Sequence, residues 1–202
     1  VLHSESFGLA AEVFIGLVAR IPSYQWNDPG LGEWTVRGLV GHTSRAILTI
    51  ENYLGAEPAP AVTVPDAETY YLRAFDGFTD NDAIAARGVE AGESLGADPM
   101  PRLTASLVRA SALLAVQDPA RIVAVGSMGI PVDEYLRTRV FELVVHSIDI
   151  SRATDLPHGM PARLLADCAG LAARVAAFKG EGEDVLFALT GRAALPPGFS
   201  IF

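Results

Sequence analysis

Apolar residues recur three and four positions apart along most of the chain, and strict alternation of apolar and polar residues is scarce, so the pattern predicts helices joined by loops. The first helix runs from about Ser4, a capping residue type, to Ile21, with Pro22 just past its end. The cluster Asn27-Asp28-Pro29-Gly30 reads as a turn. Thr35 is then placed to cap a second helix, whose apolar positions Val36, Leu39, Val40, Ala46, Ile47, Ile50 and Leu54 keep helical spacing. Glu57–Pro65 holds three prolines and is a loop. Weaker helical patterns cover Ala67–Phe78 and Asp80–Leu95 and read as one broken helix. Arg102–Val116 is a clear helix, and Arg121–Val125 a short extended piece ahead of Gly126–Gly129. A long helix follows from about Pro131 to Arg152, then a break at Leu156-Pro157-His158-Gly159. A further helix, about Pro161–Phe178, and a short apolar stretch, Val185–Thr190, complete the pattern.

The long helix is unusual. Its surface is apolar almost all round, with Val140, Phe141, Leu143, Val144, Val145, Ile148 and Ile150, except for one stripe: Tyr135, Thr138, Arg139, Glu142, His146 and Asp149. At about 100° per residue these six side chains fall within a sector of roughly 100°. A polar stripe on an otherwise apolar helix faces an internal cleft rather than bulk water. A charge placed there needs a partner. Glu142 and His146 stand four residues apart and reach one point, which a divalent metal would satisfy. A third ligand should come from another helix, and His42, two turns into the second helix, is the best candidate. Two imidazoles and a carboxylate suit zinc, and also nickel or iron(II). Arg139 and Asp149 either form a buried network with each other or orient Glu142 and His146.

Composition narrows the setting. The 202 residues, half of them hydrophobic, fit one domain or one domain with an extension. Residues 1–155 read as a metal-binding helical bundle, and 156–202 as a C-terminal helix and tail packed on it. A formal charge of −9 without any Lys/Arg block argues against nucleic-acid binding. No apolar run approaches a membrane span. Leu9–Ala19 carries Glu12 and has no basic lead-in, unlike a signal peptide. The single cysteine, Cys168, allows no intrachain disulfide, fits a cytoplasmic setting and reads as buried packing. Fourteen of the 15 basic residues are arginine, as expected of a G/C-rich genome. A homodimer is expected on base rates. His3 and His158 read as surface residues. Phosphate-cradling loops, nucleophile elbows, H-E-x-x-H and C-x-x-C are all missing.

Three readings therefore stand on the residues: a metal-dependent enzyme, a metal-binding or sensory module without turnover, and a metal-free bundle whose stripe is a satisfied polar network. An E-x-x-x-H spacing also serves as an ordinary helical side-chain pair.

Three stretches resemble one family. Trp34-Thr35-Val36-Arg37-Gly38-Leu39-Val40-Gly41-His42 resembles the W-[ST]-V-x-[DE]-[LV]-x-x-H helix opening of the mycothiol-dependent maleylpyruvate isomerase family. The stretch from Arg139 to Ile150 resembles its R-x-x-E-x-x-x-H-x-x-D-[IV] helix, and Leu186–Arg192 its L-L-x-x-L-T-G-R tail. Gly38 departs from the pattern at a position often acidic in the family. The resemblance implies an all-α fold, a DinB-like four-helix bundle with a small C-terminal extension. It implies His42, Glu142 and His146 as metal ligands, zinc most often, and mycothiol or a similar low-molecular-weight thiol as co-substrate. The implied activity is isomerisation or S-transfer on a small electrophilic substrate, with Arg192 or Arg139 pairing with a substrate carboxylate.

Overall fold

A computed structural model describes residues 3–77 and 81–201, with backbone alone at 75–77 and 81–84. Among the described residues the chain forms eight α-helices, one turn of 3-10 helix (Ser23–Gln25) and one two-stranded sheet. The helices are α1 (Ser4–Val18), α2 (Val36–Gly55), α3 (Ala67–Gly77), α4 (Asn81–Ser94), α5 (Met100–Ala115), α6 (Val132–Thr154), α7 (Ala162–Phe178) and α8 (Gly182–Leu189). The strands are β1 (Ile122–Val125) and β2 (Met128–Pro131). Helices α1, α6, α2 and α5 contact one another in a closed ring, which makes the fold an all-α, DinB-like four-helix bundle. Its core interdigitates Phe7, Phe14 and Leu17 of α1, Leu39, Ile47 and Ile50 of α2, Leu103 and Leu114 of α5, and Leu136 and Leu143 of α6. The remaining helices dress the ring: α4 lies on α2, α3 and α7 on α6, and α8 on α7.

Local chemistry explains most boundaries. Thr35 caps α2 as expected, its Oγ1 accepting from the Gly38 amide at 3.3 Å. Ser4 is the first helical residue rather than the cap. The chain is anchored one position earlier, where His3 donates its backbone N–H to Asp133 Oδ1 and its ring Nδ1 sits 2.8 Å from Asp133 Oδ2. Helix α6 carries Asp133 and Glu134 in its first turn and Arg152 in its last, matching the helix dipole, and ends where Asp155 turns left-handed (φ 61°).

Two expectations change. The stretch 67–95 is not one broken helix but two helices on different neighbours, α3 on α6 and α7, α4 on α2. The ends expected at Phe78 and Asp80 lie outside the described residues. The lone extended piece at 121–125 is half of a hairpin. Gly126 and Ser127 form its two-residue turn, with positive φ (59°) at the glycine, the position a type II′ turn reserves for it. Sequence reading missed β2 because Met128–Pro131 is four residues long and shows no alternation, being buried at three of four positions.

The hairpin sets the relation of α2 to α6. Arg121 donates to the carbonyls of Leu54 and Ala56 at the end of α2, while the Arg121 carbonyl accepts from Val132 at the start of α6. The proline-rich loop lies across the same hairpin, with Thr63 and Val64 both donating to the Gly129 carbonyl. A side chain at Gly129 would sit 2.1 Å from the Ala61 oxygen, so only glycine fits.

Helix α3 is fastened by charge. Glu68, buried, accepts from Arg137 of α6 (2.7 and 3.0 Å) and Arg174 of α7 (2.5 Å). Burial alone would raise its pKa, but the two guanidiniums outweigh it and hold the carboxyl at about 2. An unfolded glutamate titrates near 4.5, so this stabilisation is complete above that pH and is lost as pH falls from about 4.5 towards 2. Glu68→Gln should destabilise the chain by about 2–4 kcal/mol at pH 7. It should also flatten the acid limb of stability against pH, read by urea unfolding between pH 2 and 7.

Candidate metal centre

Helix α2 presents His42 seven residues beyond its Thr35 cap, and α6 presents Glu142 and His146 one turn apart. Their ligand-type atoms all lie within 4.8 Å of one another. Glu142 Oε2 is 3.4 Å from His146 Nε2 and 3.7 Å from His42 Nε2. Both distances exceed the roughly 2.7–3.2 Å of an imidazole–carboxylate hydrogen bond. The shorter falls within, and the longer just outside, the roughly 3.3–3.6 Å between ligand atoms around a tetrahedral ion with bonds of about 2.0–2.2 Å, so a small inward turn of His42 would complete the set. All three side chains are half-buried. The donor set, two imidazole nitrogens and one carboxylate oxygen drawn from two helices, fits a divalent cation.

The ligand-type atoms are braced from behind. Glu142 Oε1 accepts from the Tyr71 hydroxyl at 3.1 Å, and that hydroxyl also lies 3.1 Å from the Thr138 carbonyl. Asp149 Oδ2 lies 3.1 Å from His146 Nδ1. His42 stacks on Trp34, ring centroids 4.5 Å apart, and meets the His146 ring edge-on at 4.9 Å. Tyr71 and Trp34 were invisible as site residues in the sequence. Tyr71 sits in a weak helical pattern, and Trp34 precedes its helix, so neither shares a periodic face with the stripe.

Charge follows from this packing. Burial opposes the carboxylate form of Glu142, yet His146, His42 and Arg139 hold its pKa well below the usual range. Burial likewise opposes the imidazolium of His146, but Asp149 and Glu142 push it up to about 9. His42 goes the other way: burial, and then the neighbouring His146, lower it. Burial also raises the Tyr71 hydroxyl far above its ordinary value, so it stays a donor to Glu142.

The stripe is turned inward: Tyr135 and Thr138 are buried, and Arg139, Glu142, His146 and Asp149 half-buried. Arg139 lies 4.8 Å over the Tyr135 ring and 5.9 Å from that of Tyr70, with Nε donating to Thr138 Oγ1. Its terminal nitrogens have no hydrogen-bond or ion-pair partner among the described residues. Arg192 is not brought to this group. It is exposed in the turn after α8, a helix that lies on α7, and its side chain pairs with nothing among the described residues. No residue of α8 is buried, Leu186 and Leu189 being 63% and 76% exposed.

The other singled-out residues have local roles. His3 binds Asp133, and His158 accepts the Met160 amide in its turn. Cys168 is buried, and burial pushes its thiol up to about 12, which removes it as a nucleophile near neutral pH. It lines a cavity of about 260 Å³ with His3, Arg137, Val140 and Arg174, between α1, α6 and α7. None of the three clustered residues borders that cavity.

Fold and site together define a DinB-like helical bundle with a His–Glu–His cluster able to bind a metal ion. The chain belongs to the mycothiol maleylpyruvate isomerase family: residues 7–151 match the mycothiol maleylpyruvate isomerase N-terminal domain. That span contains His42, Glu142, His146 and Asp149 and ends just before the close of α6. Compared with the curated proteins and with the solved structures, the chain finds no match. No helix among the described residues is long and apolar enough to cross a membrane.

Proposed function

We propose that the chain is a metal-dependent enzyme that uses a low-molecular-weight thiol of the mycothiol type to isomerise, or transfer the thiol to, a small electrophilic substrate. The convergence of His42, Glu142 and His146 carries this reading, and family membership supplies the thiol. Zinc is the ion we assign, on donor set and spacing. The chemistry a divalent ion supplies in such a site is Lewis acidity, which favours a thiolate over a thiol near neutral pH. The chain's own residues do the rest. Tyr71 holds Glu142 in one rotamer by donating to Oε1, leaving Oε2 for the ion. Asp149 accepts from His146 Nδ1–H, so Nε2 is the nitrogen that would give up its proton to an ion in the cluster. Arg139, one turn before Glu142 on the same stripe, is the cation placed to pair with a substrate carboxylate. Arg192 is a weaker candidate for that task, since it is exposed on the tail. We assign the site-bearing unit to residues 1–155, with 156–202 as its packed extension, and carry a cytoplasmic setting from the single free cysteine.

Metal analysis of protein purified without a metal-affinity tag, followed by thiol-transfer and isomerisation assays with several low-molecular-weight thiols, tests the proposal. About one ion per chain with thiol-dependent turnover is the expected result. Metal without turnover would leave the second reading, a metal-binding module. One observation favours that second reading: the 260 Å³ cavity is separate from the cluster. Asp149→Asn should keep the fold and weaken zinc binding about 10–100-fold, measured by competition with a chelating indicator. Unchanged affinity would reduce Asp149 to a structural partner of His146.

A further inference from the structure

The two histidines of the cluster are oriented by different devices. His146 has the usual one, a carboxylate on its second ring nitrogen. His42 lacks it: its Nδ1 is buried and has no hydrogen-bond partner among the described residues. An imidazole without that bond is free to turn about χ2 unless something else sets its plane. The indole of Trp34 lies against it, 4.5 Å between centroids and 29° between planes.

Trp34 is itself clamped. Its Nε1–H donates to the Ala85 carbonyl of α4 at 2.9 Å. A methyl group at Gly88 would sit 2.6 Å from the indole, and one at Gly38 3.2 Å from it. Glycines on α2 and α4 thus let the indole lie directly against both helices. Helix α4 supplies no residue to the cluster but can act on it through this ring.

We propose that Trp34 is the positioning residue of His42: its face, in place of a hydrogen bond, sets the imidazole so that Nε2 points at Glu142. The consequence for metal affinity rests on the reading of His42 as a ligand. The orientation itself does not.

Two substitutions separate face from volume. Trp34→Phe keeps an aromatic face and loses the bond to Ala85. Trp34→Leu keeps apolar volume and loses both. In the metal-free wild type, the His42 ring protons, assigned with His42→Asn, should be shifted upfield by the indole ring current in proton–nitrogen NMR spectra. Trp34→Leu should abolish that shift and weaken zinc binding by about tenfold or more, the scale of losing an outer partner of a ligand. Trp34→Phe should keep zinc affinity within about threefold while its melting temperature falls with that of the leucine variant. A merely structural role would move affinity and melting temperature together.

Gly88→Ala reaches the same point with Trp34 and His42 both intact, and covers the case of a leucine variant that does not fold. It presses a methyl on the indole and should move the His42 signals and lower zinc affinity. Equal zinc affinity in the leucine and phenylalanine variants, or unshifted His42 protons in the wild type, would overturn the proposal. Shifted protons in a wild type that binds no zinc would refute the metal reading and leave the orientation of His42 by Trp34 standing.

Discussion

Glu142→Ala is expected to abolish stoichiometric metal binding, with affinity for zinc falling by about 10³-fold or more. That exceeds the roughly 10–100-fold effect of an outer partner such as Asp149, because a charged ligand itself is gone. Glu142 Oε2 is the atom that both Nε2 nitrogens approach, and Glu142 is the one carboxylate of the cluster among the described residues. The readout is twofold: metal content after purification, and the rise in melting temperature on adding zinc. A ligand present at about 1,000 times its dissociation constant stabilises the folded state by about 4 kcal/mol, and the variant should show none of that rise. His42→Ala and His146→Ala should behave alike, since each removes one of three donors. Wild-type zinc affinity in all three variants would mean that the cluster is a polar network, held by the Glu142–His146 pair and the Tyr71 hydroxyl.

Gly41→Ala should lower stability by about 3 kcal/mol, at the upper end for overpacking a well-filled contact. Helices α2 and α4 cross there with their backbones almost touching. A Cβ at Gly41 would lie 2.1 Å from the Gly92 nitrogen, and one at Gly92 would lie 2.6 Å from the Arg37 carbonyl oxygen. These neighbours are main-chain atoms and cannot rotate away as a side chain would. For a chain of this length the change corresponds to a drop of about 6–12 °C in melting temperature, read by calorimetry. Zinc affinity should fall as well, since displacing α4 moves the Ala85 carbonyl and Gly88 that hold Trp34. By contrast Gly55→Ala, at the open end of α2 with nothing near its added methyl, should leave both unchanged.

Helix positions, the Thr35 cap and the polar stripe of α6 could all be read from the sequence because they depend on neighbours within a turn or two. Periodicity reports which face of a helix is buried, and a cap bonds to amides three residues away. The spacing of Glu142 and His146 likewise belongs to one helix. The convergence of His42 upon them was inferred from chemistry, namely the need of a metal for a third ligand, and the structure shows the three side chains meeting. Residues whose roles depend on distant neighbours stayed hidden. Tyr71 bonds Glu142 across 71 positions, and Trp34 bonds Ala85 across 51. The second strand of the hairpin is similar, because burial by a crossing loop erased its alternation.

The sequence by itself thus determined a helical bundle with one polar stripe and a short list of metal-ligand types. Local propensity and periodicity are properties of contiguous residues. Only the tertiary structure decided which helices form the ring, that 67–95 divides between two sides of the bundle, and that Arg139 packs over Tyr135 while Arg192 is exposed after α8. Those outcomes rest on how closely separate backbones approach, at Gly41 and Gly92 or at Gly129 and Ala61. The fit between two surfaces is set by both at once and is written in neither stretch alone.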